Sequence, residues 1–181
     1  NYGKSFNLER PFFSSFANWS AGIYFDQQFR SDSLPDANKV YKRQNFKFNT
    51  QDYWAGNAIQ LYKGNSENER TTNLITTGRF LKINYVENPT IDCDKIDYFS
   101  NEEIYLTGIG ISSRQYVQDK YIFNYQIVED VPIGRAIGIT GGYHLKNNTK
   151  RFYSGARVSS GKYYNWGYLS SNVEFGTFFN H

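Results

Sequence analysis

The sequence predicts an all-β protein: an antiparallel up-and-down meander of about ten long strands, forming part of a transmembrane β-barrel. Three observations carry this. Bulky apolar residues alternate with small or polar ones over stretch after stretch, which is the period of a strand. Most of these stretches run to around ten residues, closer to the roughly 9–11 that a tilted membrane strand needs than to the roughly 5–6 of a globular one. The apolar parity often ends in an aromatic, as at Trp19, Phe29, Tyr105, Tyr121, Tyr143, Phe152 and Phe179, which suits interfacial girdles.

In chain order, Lys4–Phe12 places Phe6 and Leu8 opposite Asn7 and Glu9, with Pro11 suited to a strand end. Trp19–Arg30 alternates Trp19, Ala21, Ile23, Phe25 and Phe29 with Ser20, Gly22, Tyr24, Asp26, Gln28 and Arg30. Asp32, Pro35, Asp36 and Asn38 mark a loop over Ser31–Lys39. Val40–Thr50 reads as a strand, Gln51–Gly56 as a turn, and Asn57–Lys63 as the next strand, followed by a polar loop over Gly64–Arg70. Thr71–Glu87 changes parity, which a bulge near Gly78–Phe80 would reconcile.

Asn88–Asn101 is the longest irregular segment. Glu102–Arg114 sets Tyr105, Thr107, Ile109 and Ile111 opposite Leu106, Gly108, Gly110 and Ser112. After a polar link at Gln115–Lys120, Tyr121–Tyr143 reads as a hairpin reversing at Pro132 and Gly134. That reversal, if periplasmic, puts the Asn88–Asn101 connection on the same side of the sheet. Arg151–Gly161 and Gly167–Phe179 complete the meander. Ile137 and Ile139 are expected to face lipid, and Gly138 and Thr140 a polar lumen.

Composition agrees. The 181 residues fit one domain, and 19% are aromatic, with 16 Tyr and 15 Phe, which favours pleated sheet. No apolar run approaches a membrane helix, so spanning would require a closed barrel. The mean hydropathy of -0.66 is compatible with this, because half of each barrel strand faces water. The net charge of +3 and scattered basic residues give no reason to expect nucleic acid as a partner. Cys93, the only cysteine, excludes an intrachain disulfide and a cysteine-based zinc site. The chain lacks Met and opens on Asn1, so it is expected to be an excerpt of a larger barrel or a processed product.

The segments SFNLERPFFSSFANWSAGIYF, FNTQDYWAGNAIQLY, LTGIGISSRQYVQDKYIFNYQIVEDVPIGRAIGITGGY and SSNVEFGTFF resemble the barrel portion of the BamA/TamA-like outer-membrane assembly factor superfamily, the bacterial surface antigen family. The resemblance covers most of the chain in strand texture and turn phrases. It implies a barrel wall in the outer membrane of Gram-negative cells that assembles or inserts outer-membrane proteins, or translocates polypeptide or lipid, without enzymatic chemistry. The implied partners are outer-membrane lipid, client outer-membrane proteins and other assembly-complex subunits. The family's Arg-Gly-Phe or Arg-Gly-Tyr tripeptide is absent, since Gly78-Arg79-Phe80 has another order, and no functional residue carries over.

No catalytic, cofactor-binding or metal residue is assigned. His144 and His181 lack a nucleophile-elbow motif and read as surface histidines. Asp92, Asp94 and Asp97 around Cys93 lack the further ligands and central Gly of a calcium loop and read as solvated. Asn18-Trp19-Ser20 and Asn147-Asn148-Thr149 match a glycosylation pattern short enough to arise by chance. Tyr53, Trp54, Tyr163, Tyr164 and Trp166 are read as turn aromatics that anchor at an interface or stack on sugars. Asp26, Arg30, Arg157 and Glu174 are expected to pair across strands or line a polar path. Two other classes stay open: a soluble all-β carbohydrate-binding domain and a small outer-membrane barrel enzyme.

Overall fold

The computed structural model describes all residues except 1, 14–16, 65, 67–69, 121–126 and 181. Among the described residues nine strands form one sheet: β1 Tyr2–Arg10, β2 Trp19–Pro35, β3 Tyr41–Gln60, β4 Asn73–Glu87, β5 Glu102–Ser112, β6 Gln115–Lys120, β7 Val128–Lys146, β8 Thr149–Tyr164 and β9 Gly167–Asn180. Every pairing is antiparallel. The order is β1-β2-β3-β4-β5-β7-β8-β9, with β6 also on β7, so the sheet is open and β1 and β9 are its edges. No helix among the described residues is long and apolar enough to cross a membrane.

The antiparallel meander is as predicted, but β2, β3, β7 and β8 are longer than expected and the punctuation differs. Gln51–Gly56 is no turn; it lies inside the 20-residue β3. Gln51, Tyr53 and Ala55 continue one parity there and Asp52, Trp54 and Gly56 the other, and both flanks are paired, so nothing releases the backbone to reverse. β2 likewise runs on to Pro35, through residues expected to be loop. The register of β4 is unbroken across Gly78–Phe80; the irregularity falls between Lys47 and Phe48, opposite Val86.

The largest correction concerns Pro132 and Gly134. Both lie within the continuous strand β7, and the reversal falls between Lys120 and Val128. Residues Tyr121–Gln126 of the expected first arm lie outside the described residues. Gln115–Lys120, expected as a link, is strand β6. β5 and β6 lie end to end along β7: Ser112 opposes Ala136 and Gln115 opposes Ile133 without slip. The amide of Ser113 donates to the Arg135 carbonyl at 2.8 Å between them. The pair is thus one long hairpin with arms 102–120 and 128–146, and its reversal lies at the opposite end of the sheet from the 88–101 connection.

Proline is tolerated in this strand because β8 pairs with β7 only from Gly134 onward. The Pro132 carbonyl accepts a hydrogen bond from the Tyr168 hydroxyl at 2.5 Å. In extended backbone a residue's N and O point the same way, so the missing N–H of Pro132 faces a side with no ladder partner. Gly134 has φ 102°, and a Cβ there would lie 2.1 Å from the Ser113 carbonyl oxygen. Glycine adopts that φ without the steric cost a side chain would carry.

The two faces of the sheet differ sharply. Residues paired directly across strands share a face, and one row reads Leu8, Ile23, Tyr53, Phe80, Tyr105, Tyr143, Phe152, Phe179 from edge to edge. The rings touch along it: Tyr53–Phe80 at 6.2 Å, Phe80–Tyr105 at 4.8 Å, Tyr143–Phe152 at 5.6 Å and Phe152–Phe179 at 6.3 Å. Ile111, Ile137, Val158 and Val173 form a parallel row on the same face. This apolar face is the exposed one; Ile109, Ile111, Ile137 and Ile139 are each 47–61% exposed. The opposite face is polar and more buried, as the inside of a curved sheet is. Among the described residues the buried apolar side chains are Ala17, Phe46, Ala58, Pro89 and Val131, against buried Ser20, Asp26, Gln44, Asp52, Thr71, Ser100 and Ser159. A soluble sheet buries its apolar face, and this one does the reverse.

Candidate functional site

The polar face is where charged side chains collect. At its centre Asp52 on β3 accepts a bidentate pair from Arg79 on β4, Nε at 2.9 Å and Nη2 at 2.6 Å. Asp52 is buried while half of the Arg79 side chain is exposed. Beside it the Trp54 indole lies over Gly22, where a Cβ would fall 2.3 Å from Nε1. Farther along, Tyr153 lies over Gly155 and its pairing partner Gly176 in the same manner. Glycine opposite an aromatic lets the ring lie flat along the face.

The expected cross-strand pairing is half correct. Arg157 and Glu174 are register partners joined at 3.0 Å, both side chains 57% exposed, and Arg157 also donates to Asn172 at 3.0 Å. Asp26 and Arg30 do not pair. Asp26 accepts from Gln28 at 2.6 Å, and Arg30 lies over the Phe46 ring at 5.1 Å. Asp52 was missed because 51–56 reads as a turn; following its strict alternation through Trp54 would have placed it on the polar face.

At one end the 88–101 connection folds over this face. Phe99 meets the fully buried Phe46 ring at 4.9 Å, and the Gln44 amide binds both the Thr90 amide and Cys93 Sγ. The acidic cluster serves this loop: Asp94 accepts from the backbone amides of Tyr98 and Phe99, and the Asp97 carbonyl accepts from Ser100 and Asn147. Among the described residues no group of three or more His, Cys, Asp or Glu could hold a metal ion. Asn147 and Asn148 form the two-residue β7–β8 turn, with φ 51° and 57°. The Asn18 carbonyl accepts from the Ala58 amide at 2.8 Å.

His144 faces the same side near that end. Its Nε2 lies 3.2 Å from Glu102, an oxygen it shares with Lys146 at 3.0 Å, and its ring packs on Phe178. It is an inward, largely covered histidine rather than a surface one. His181 lies outside the described residues. The turn aromatics also resolve differently: Tyr53 and Trp54 are on opposite faces of β3, Tyr163 and Tyr164 belong to β8, and only Trp166 is in a turn, stacked on Tyr164 at 5.3 Å. They form no common platform.

At the other end the hairpin β6–β7 is joined to β8 and β9 through Tyr163 and Tyr168, with Val131 fully buried. The Tyr163 hydroxyl, beyond the apolar stretch of β8, donates to Asp119 at 2.7 Å. Removal from water and this carboxylate hold its phenol up at about 12, while the hydrogen bond from Tyr163 lowers the Asp119 carboxyl. A raised phenol contributes to the contact below its ordinary value of 10.0 and loses that contribution as pH rises through about 12. A lowered carboxyl contributes above 3.8 and fails as pH falls through its folded value. The latch is therefore strongest between these limits. In an ultraviolet difference titration, Tyr163→Phe is expected to remove one phenol ionising near 12 and Asp119→Asn to move it toward 10. A wild-type phenol at the ordinary value would refute the contact.

Comparison with family models, with curated proteins and with solved structures finds no match to this chain.

Proposed function

We propose that this chain is part of an outer-membrane β-barrel, a wall that serves the assembly or insertion of outer-membrane proteins, or the passage of polypeptide or lipid, without covalent catalysis. The observation that carries the membrane reading is the exposed apolar face with its row of aromatic side chains from β3 to β9. Each large side chain left in water forgoes about 1.5–3 kcal/mol of burial. Over a face of this extent that exceeds the roughly 5–15 kcal/mol by which a domain is stable. A hydrocarbon solvent removes the conflict, and the aromatic row suits the headgroup level.

A second feature supports it. The apolar stretch of β9 starts at Leu169, well before its residue in the cross-sheet row, Phe179, whereas on β2, which runs the same way, it starts at Trp19, much nearer the row residue Ile23. A band that climbs relative to the hydrogen-bond register is what tilted strands crossing a flat slab require. Closure would pair the two open edges with each other or with further strands. The assembly role rests on the resemblance to the BamA/TamA-like superfamily, with outer-membrane lipid and client proteins as partners.

The full-length protein is expected in the membrane fraction, soluble only in detergent, and to migrate differently on gels before and after boiling. Recovery as a monodisperse species without detergent would overturn the membrane reading. In proteoliposomes it is expected to speed the folding of an unfolded porin; a rate equal to that of empty liposomes would remove the assembly role.

A further inference from the structure

Between the long hairpin and the polar ends of β8 and β9 lies a cleft of about 200 Å³. Arg114, Arg157, Ser159, Ser170 and Asn172 line it, and no carboxylate does. On the polar face Arg79 meets the acid Asp52, and Arg157 meets Glu174. In contrast, Arg114 Nη2 donates at 2.8 Å to the neutral hydroxyl of Ser159, and Arg114 enters no ion pair among the described residues. The only acid joined to Arg157 is half-exposed, where water screening keeps the pair weak and open to competition. Gly134, with its positive φ, and Pro132, whose carbonyl Tyr168 holds, complete the lining.

We propose that this cleft binds a tetrahedral oxyanion, phosphate or sulfate. A guanidinium with unpaired donors, a second arginine within reach and surrounding hydroxyls are the groups that recognise such an anion. The volume decides the size class: it is below the roughly 300–1,000 Å³ of sites for larger organic ligands. The ligand is a free anion or the terminal group of a phosphomonoester. The proposal does not depend on the membrane reading, since it concerns only the polar face.

Inorganic phosphate titrated into the folded full-length protein, followed by calorimetry at constant ionic strength, tests it. Saturable binding is expected, weakened at least tenfold in Arg114→Gln and more modestly in Ser159→Ala, and strengthened in Glu174→Gln, which leaves Arg157 unpaired. Ser159→Ala keeps the test decisive if the Arg114 variant fails to fold. Glycerol phosphate binding more tightly than phosphate assigns an esterified source, and equal affinity a free anion. No saturable binding, or equal binding in wild type and both weakened variants, overturns the proposal.

Discussion

Ile139→Arg in β7 is expected to prevent stable assembly, while Gly138→Ser beside it is tolerated. The two positions are neighbours in sequence and opposite in facing. Ile139 opposes Ile109 and Ala156 in the exposed apolar band, and 61% of its surface is open. A cation on the lipid face of a barrel costs about 2–4 kcal/mol near the bilayer midplane. At Gly138 an added Cβ has the Ile109 carbonyl oxygen at 3.4 Å and Gly110 Cα at 3.6 Å, ordinary contacts on the polar face. Membrane-inserted yield and the heat-dependent gel shift read the difference directly. Equal tolerance at both positions would reject the assigned faces. A soluble protein that folds equally well with Arg at 139 would reject the membrane as well.

Gly142→Ala is the second large effect expected, with Gly138→Ala as its control. Both glycines are on the same face of the same strand, so the change in unfolded-chain entropy is common to both and cancels. The surroundings differ. A Cβ at Gly142 would be 2.0 Å from the Tyr105 carbonyl oxygen and 3.0 Å from Leu106 Cα, so β5 and β7 must separate. Backbone cannot step aside as a side-chain tip can, and overpacking of this kind costs about 1–3 kcal/mol or more. Unfolding in urea should show a lowered midpoint for Gly142→Ala and nearly none of that change for Gly138→Ala. Identical midpoints would mean that the β5–β7 spacing described here is wrong.

Much of the architecture was legible in alternation. Trp19 to Phe29, Tyr105 to Ile111 and Val173 to Phe179 each place their apolar side chains on the face where the fold has them, because side-chain direction follows from strand period alone. Turn residues were less informative. Pro132 and Gly134 carry a reversal's chemistry yet lie in β7, since proline needs only an unpaired flank and a glycine of positive φ fits within a strand as well as in a turn. The turn assigned to 51–56 failed for the complementary reason: pairing on both flanks held Gln51–Gly56 extended in spite of its polar content. Those two errors also displaced the ends of the sheet on which the connections fall.

The polar face was legible in kind but not in detail. Arg157 and Glu174 could be matched by facing, whereas Asp52 with Arg79, Glu102 with His144 and Arg114 with Ser159 join residues 27, 42 and 45 positions apart. Such partners depend on which strands are neighbours and in what register, and no local pattern encodes that. By itself, then, the sequence determined an antiparallel meander with one apolar and one polar face, because a period of two is a property of each strand alone. Only the tertiary structure decided that the apolar face is the exposed one, that Gly134 takes a positive φ inside the long hairpin, and that an arginine with no ion pair among the described residues lines a cleft beside it. Curvature and register are properties of the whole sheet, set by contacts between residues far apart in the chain.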